Sequence, residues 1–126
     1  MELIRNAPSD RQIIQGYRKV FLVSGTRYDH PIVVMPDRTV AWTGAVAGEI
    51  EPQTLLDILR AAAIEVCLIG CGARPTPMVA DLRDAFRASH IGLDLMETGA
   101  ACRTYNVLAM EGRRVAAALL PLQTRE

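Results

Sequence analysis

The 126-residue sequence lacks the features that would place it in several broad functional classes. It has no apolar stretch long enough to span a bilayer, which excludes direct membrane insertion. It has no cluster of basic residues and a formal net charge of zero, so it does not resemble a nucleic-acid-binding protein. Its start, MELIRNAPSD, contains no apolar signal segment, and we therefore expect a cytoplasmic protein.

Cysteine is scarce, and the three cysteines, Cys67, Cys71 and Cys102, are an odd number. In a reducing compartment such residues are free thiols. The spacing of Cys67 and Cys71 would suit two metal ligands, but neither His30 nor His90 lies near them in the sequence. Because a structural zinc site normally needs four ligands at recognisable spacing, we predict no metal site.

The sequence has many hydrophobic residues, enough to form a core. Half of its residues are hydrophobic, and its length is close to the commonest domain size. We therefore expect a single domain over residues 1–126, in which residues 1–11 form a loosely ordered N-terminal arm.

The first third of the chain predicts antiparallel β-ribbons. Residues 12–28, QIIQGYRKVFLVSGTRY, alternate apolar residues with glycine punctuation. Residues 31–36, PIVVMP, lie between two prolines, and Asp37 with Arg38 makes a turn into TVAWT. Trp42 stands near the end of that strand, where a large aromatic residue usually packs in the core.

The rest of the chain alternates helices with strands. Pro52 is a good first helical residue, and the apolar run 64–70, IEVCLIG, is typical of a buried parallel strand. Thr76 and Pro77 predict the start of a second helix. The residues expected on its inner face are Val79, Leu82 and Phe86.

The alternation continues to the end of the sequence. Residues 91–96 predict a strand, Thr98 is expected to cap a third helix, and residues 114–122 predict a final strand. Elements in this order pair in parallel through right-handed crossovers. We therefore predict an α/β fold. Its mixed central sheet has parallel middle strands flanked by helices, and antiparallel β-ribbons precede it.

Ligands of such sheets bind at the carboxyl ends of the parallel strands, where two loops should form a crevice. One is the loop of Gly70, Cys71 and Gly72, and the other leads into the helix at Thr98. Pro75 occupies the place of the third glycine of a dinucleotide fingerprint, so we predict no nicotinamide cofactor and no other cofactor. The two glycines are better explained by a tight turn that needs positive φ.

The helix start at Thr98 is the second candidate feature. Its free N–H groups would attract an anion, and Arg103 would either contact that ligand or pair with Glu97 or Asp94. Cys102 lies within about a turn of this helix start, where the pKa of its thiol could fall. The alternative is that Cys102 is a small buried thiol. No catalytic constellation is complete, so no catalytic residue is assigned. The candidate binding residues are Gly70, Cys71, Gly72, Thr98, Cys102, Arg103, Thr104 and Asn106.

Residues 96–121, METGAACRTYNVLAMEGRRVAAALLP, resemble the signature of the family that includes mitochondrial complex I assembly factor 3 and many bacterial proteins. IGCGARPTP and TVAWTG match further parts of the family pattern, and the resemblance runs from about Gly16 to Pro121. Cys71 departs from it, because that loop more often carries threonine. The residues that the resemblance assigns to the shared surface are Gly70, Gly72, Met96, Thr98, Cys102, Arg103, Thr104, Tyr105, Asn106, Glu111 and Arg113.

The resemblance implies a three-layer α/β fold with a mixed sheet, and members mostly without a known enzymatic activity. The mitochondrial branch assists assembly of the respiratory NADH dehydrogenase. The sequence shows no mitochondrial presequence, so it is similar to the bacterial members. Protein partners are implied, with membrane-protein assembly machinery as a candidate, and a homo-oligomer is left open.

Two functional hypotheses remain. The first is a non-catalytic interaction or assembly module, which rests on the resemblance. The second is a small-molecule (anion) binding protein or a small enzyme that uses the crevice between the Gly70 loop and the Thr98 helix start.

Overall fold

The computed structural model describes residues 11–46, 49–74 and 79–122. The expected N-terminal arm therefore lies outside the described residues, apart from Arg11. Within the described part, ten strands and three helices form. No helix in these ranges combines the length and the apolar character that crossing a bilayer requires.

The N-terminal ribbon is a three-stranded antiparallel sheet, as the sequence predicts. Its strands are β1 (Ile14–Gly16), β2 (Phe21–Val23) and β3 (Thr26–Tyr28), in that spatial order. A hairpin follows, formed by β4 (Ile32–Val34) and β5 (Thr39–Ala41). A short antiparallel pair, β6 (Ala45–Val46) and β7 (Glu49–Ile50), leads to the first helix.

Helices and strands then alternate to the end of the described chain. The elements are α1 (Pro52–Ala61), β8 (Val66–Gly70), α2 (Ala80–Ala88), β9 (Gly92–Met96), α3 (Thr98–Met110) and β10 (Val115–Leu119). The larger sheet has the order β5-β4-β10-β8-β9. Strands β10, β8 and β9 are parallel, whereas β4 is antiparallel to both of its neighbours. The prediction of a mixed sheet with parallel middle strands is confirmed.

The middle strands of the larger sheet, β4, β10 and β8, are buried on both faces, which makes the fold three-layered. On one face, α1 and α2 cover the sheet, with Leu59 and Phe86 packed against Ile69 and Trp42. On the other face lie α3 and the N-terminal ribbon, and Tyr105 belongs to this second core. Trp42 is buried in the first core, as expected for a large aromatic residue at a strand end.

The last strand in the sequence occupies the middle of the larger sheet. In the register of β10, Ala117 lies opposite Leu68 of β8 on one side and Val34 of β4 on the other. All five residues of β10 are buried, and the three in its centre are alanines. Small side chains at these positions leave room for the helices that pack on both faces.

One predicted feature of the second helix is wrong. Thr76 and Pro77, the expected start, lie outside the described residues, and α2 begins at Ala80. Val79 precedes the helix in an extended conformation, with φ −93° and ψ 149°, so its side chain does not share the helical face. It is 57% exposed, whereas Leu82 and Phe86 are buried as predicted.

We predict that Ala117→Leu lowers the free energy of unfolding by about 1–3 kcal/mol, because added methylenes in a filled core force neighbouring groups to shift. The matched control is Ala88→Leu at the exposed end of α2, which we expect to change stability by less than about 0.5 kcal/mol. Urea unfolding followed by circular dichroism measures both variants. Equal stability of the two would contradict the central position of β10.

Candidate functional site

The carboxyl ends of the three parallel strands meet at one edge of the sheet, as the predicted crevice requires. The N–H group of Cys71, just after β8, donates to the carbonyl of Met96 at the end of β9, at 2.8 Å. The N–H group of Leu120, just after β10, donates to the carbonyl of Gly70, at 2.9 Å. The strand ends are therefore bonded directly to one another.

Thr98 completes this junction. Its hydroxyl accepts a hydrogen bond from the N–H group of Gly72 at 2.8 Å and donates to the carbonyl of Leu120 at 2.6 Å. Its own N–H group donates to the carbonyl of Gly72 at 2.8 Å. The side chain is fully buried. We name these four residues, Gly70, Gly72, Thr98 and Leu120, the Thr98 junction.

The two glycines of the junction serve different needs. Gly72 has φ +91°, which confirms the tight turn that the sequence indicates. Gly70 is not at positive φ, and here that explanation is wrong. A Cβ atom on Gly70 would lie 3.0 Å from both the Leu119 side chain and the Thr98 backbone, so the absence of a side chain permits close approach.

The expected cap of the third helix is also wrong, because Glu97 rather than Thr98 caps α3. Glu97 has extended φ and ψ, and its carboxylate accepts a hydrogen bond from the N–H group of Ala100 at 3.0 Å. Thr98 is the first helical residue and uses its hydroxyl for the junction. The helix start thus already holds a carboxylate, which opposes binding of a second anion.

Burial controls the chemistry of two of the three cysteines. Cys102 is 1% exposed, and desolvation, reinforced by the charge of Glu97 and opposed by that of Arg103, raises its pKa to about 12. The interpretation of Cys102 as a small buried thiol fits this environment, and a lowered pKa does not. Burial likewise raises the pKa of Cys67 to about 12. Cys71 is half-buried.

Of the remaining residues on α3, the candidate Asn106 and the shared-surface residue Tyr105 bond to the chain at and just before β1 rather than to the crevice loops. The side-chain amide of Asn106 makes two hydrogen bonds to the backbone of Ile14, at 2.9 and 2.8 Å. The hydroxyl of Tyr105 donates to the carbonyl of Gln12 at 2.9 Å. Thr104 lies half-buried on the same helix. These contacts fix the ribbon to α3. The sequence alone did not predict this structural role for Asn106 and Tyr105.

Arg103 is exposed and donates to the hydroxyl of Tyr17 at 3.0 Å. The expected ion pair of Arg103 with Glu97 or Asp94 does not form, because the pairs within 4.0 Å in the described part of the chain involve other side chains. Arg103 is therefore joined to a neutral partner.

The other residues assigned to the shared surface are divided between core and solvent. Met96 is half-buried and packs against the core below α3. Glu111 follows the last residue of α3, and both it and Arg113 are exposed. Within the described ranges, no group of three or more His, Cys, Asp or Glu side chains is arranged to hold a metal ion.

Comparison with known proteins gives three findings. The model of a family described as "protein of unknown function (DUF498/DUF598)" matches residues 14–120. Human NADH dehydrogenase (ubiquinone) 1 alpha subcomplex assembly factor 3 is 28% identical over 123 residues, which are 96% of this chain and 67% of that protein. An uncharacterised protein of Rhodobacter capsulatus is 33% identical over 112 residues, covering 86% of this chain and 84% of its own length.

The fold is also found among solved structures. A crystal structure of a Bordetella parapertussis protein superimposes with a TM-score of 0.80 at 33% sequence identity. The match covers 88% of this chain and 96% of that one. The architecture described above is thus shared over nearly the whole of a bacterial relative.

We predict that Thr98→Val lowers the free energy of unfolding by about 1–3 kcal/mol, since it leaves the buried N–H of Gly72 without its partner and also removes the partly buried bond to the carbonyl of Leu120. Thr98→Ser keeps the hydroxyl and is the control, with an expected loss of about 1 kcal/mol for the missing methyl group. Urea denaturation measures both. If valine were tolerated as well as serine, the hydroxyl would not stabilise the junction.

We also predict that Cys71 is alkylated first in the folded protein. Cys67 and Cys102 are buried and have pKa values near 12, so they hold almost no thiolate at neutral pH. Mass spectrometry after timed treatment with iodoacetamide gives the order, and the same treatment in urea is the control in which all three thiols react. Labelling of Cys102 as fast as Cys71 without urea would show that the start of α3 opens.

Proposed function

The chain belongs to the DUF498/DUF598 family, and from that premise we propose that it is a non-catalytic interaction module that assists the assembly of membrane-protein complexes. Its homology to complex I assembly factor 3 supports an assembly-factor-like role. The shared region includes 96% of this chain and about two thirds of the human protein. Protein partners are therefore the ligands that we propose for it.

The observation that supports the proposal is that the side chains of the signature residues make their contacts within the chain itself. Thr98 bonds the strand ends together, and Asn106 and Tyr105 fix the N-terminal ribbon. Cys102 is buried, and desolvation raises its pKa, which opposes a role as nucleophile. These side chains maintain a scaffold, and recognition is left to the surface of that scaffold.

The alternative is an anion-binding protein or a small enzyme that uses the crevice between the Gly70 loop and the Thr98 helix start. One observation favours it, because Arg103 is exposed near the helix start and has no carboxylate partner in the described part of the chain. Two others oppose it. The hydroxyl of Thr98 is already bonded to Gly72 and Leu120, and the carboxylate of Glu97 occupies the helix start.

We further propose that the protein works in the bacterial cytoplasm. The relative from Rhodobacter capsulatus is 33% identical over most of both chains, and the three cysteines are free thiols, which fits a reducing compartment.

The experiment that tests the proposed function is affinity purification of the tagged chain from its native host, with detergent-solubilised membranes and mass spectrometry of proteins and small molecules. We expect subunits of a membrane-protein complex, or of its assembly machinery, to co-purify in excess over a tagged control protein of similar size. Recovery of a stoichiometric small anion, without enriched proteins, would favour the alternative.

We predict that Arg103→Ala lowers the free energy of unfolding by less than about 1 kcal/mol, because the guanidinium is exposed and its contact with Tyr17 is close to solvent. We expect thermal melts of wild type and variant to be unchanged by phosphate or a dicarboxylate. Arg103→Lys, which keeps the charge, is the control. A ligand-dependent rise in melting temperature in the wild type and the lysine variant, absent from the alanine variant, would support the anion site instead.

A further inference from the structure

The face of α3 that points away from the protein has an apolar centre. The buried side of the helix includes Ala101, Cys102, Tyr105 and Ala109. At 100° per residue, Val107 lies almost opposite the centre of that buried side. Arg103 comes one turn before it and Glu111 one turn after it. We call Arg103, Val107, Met110 and Glu111 the outer face of α3.

The apolar residues of this face are unusually exposed. In the described part of the chain, the large hydrophobic residues with high exposure are Val79 at 57%, Val107 at 57% and Met110 at 52%. A single exposed apolar residue is ordinary, but Val107 and Met110 are three residues apart and adjoin each other on the helix surface. Covering both would remove apolar surface from water.

Within the part of the chain that the structure describes, the charged residues of the outer face are also without ionic partners. Arg103 bonds to the neutral hydroxyl of Tyr17, and Glu111 is exposed at the helix end. Neither is among the ion pairs within 4.0 Å in the described ranges. A binding partner that suits this face therefore presents an apolar centre with an acidic group at one end and a basic group at the other.

A second copy of the same helix has this complementary pattern. In an antiparallel pair with a two-fold axis at Val107, each residue that is n positions before Val107 faces the residue n positions after it. Arg103 of each copy then faces Glu111 of the other copy, and the two Val107 side chains meet at the axis. A parallel pair would instead bring two Arg103 side chains together, which like-charge repulsion opposes.

We propose that the outer face of α3 is a self-association surface, on which a second copy docks its own α3 in the antiparallel direction. The two-fold axis repeats every contact, so the pair of Arg103 in one copy with Glu111 in the other occurs twice in the dimer. One helix packed on another buries an area at the low end for specific interfaces, and the dimer is therefore concentration-dependent. This inference does not rest on the proposed function, since a monomer and a dimer can each assist assembly.

The first test removes the apolar centre. Sedimentation velocity over a range of concentrations is expected to show a monomer–dimer equilibrium for the wild type and monomers alone for Val107→Glu, which places two carboxylates at the axis. Val79→Glu is the matched control, because Val79 is equally exposed but lies at the start of α2. We expect it to dimerise as the wild type does.

The second test exchanges the charges. Arg103→Glu and Glu111→Arg are each expected to weaken dimerisation about two- to thirtyfold, because each loses two exposed ion pairs of ordinary strength. The double variant restores opposite charges and should regain the wild-type dissociation constant. The contact of Arg103 with Tyr17 is lost in Arg103→Glu and equally in the double variant. Stronger dimerisation of the double variant can therefore come only from the exchanged ion pair. Circular dichroism confirms that each variant is folded.

Several results would overturn the proposal. A wild type that stays monomeric up to its highest soluble concentration would leave the outer face to a different protein. A dimer unaffected by Val107→Glu would lie elsewhere on the surface. Equal loss in Val79→Glu would indicate unspecific apolar association, and a double variant as weak as the single ones would exclude the antiparallel register.

Discussion

The hydroxyl group of Thr98 lies where the loop after β8, the start of α3 and the end of β10 come together. It accepts from the N–H of Gly72 in a buried hydrogen bond and donates to the carbonyl of Leu120 in a partly buried one. Close approach requires Gly70 to lack a side chain, and the turn requires positive φ at Gly72. A buried hydrogen-bonding group that is left without a partner lowers the stability of the fold. A change at Gly70, Gly72 or Thr98 is therefore expected to disturb the whole junction.

This junction lies where the sequence predicts a ligand crevice. In most open α/β sheets the carboxyl ends of the parallel strands border a ligand crevice. Here the hydroxyl of Thr98 bridges the loop after β8 and the end of β10, and the carboxylate of Glu97 accepts a hydrogen bond from the N–H group of Ala100 in the first turn of α3. By fixing the start of α3, the junction also sets the direction in which Asn106 reaches the N-terminal ribbon and Val107 faces solvent. The contacts of Thr98 thus connect the ends of the parallel strands to the placement of α3.

The order and type of the elements could be predicted from the sequence because they depend on local patterns. The apolar run that became β8 and the helical spacing after Pro52 need little knowledge of distant residues. The central position of β10 could not be predicted, since strand order depends on packing between segments far apart in the sequence. Its run of three alanines is the signal that was available for a strand covered by helices on both faces.

The details of the site were harder to predict for a related reason. Threonine is a better helix cap than glutamate by intrinsic preference, which favoured Thr98 over Glu97. The hydroxyl of Thr98 instead bonds to Gly72 and Leu120, which are 26 and 22 residues away in the sequence. Asn106 carried an unused signal, because asparagine is a poor residue for the middle of a helix and its presence there indicates a partner for the amide.

Amide hydrogen exchange at Gly72 and Thr98, followed by nuclear magnetic resonance, tests the central claim most directly. If the strand ends form a closed structural junction, both amides exchange as slowly as those in the middle of β8 and β10, through global unfolding alone. Exchange as fast as that of an exposed loop, slowing when an anion is added, would show an open ligand crevice and contradict the claim.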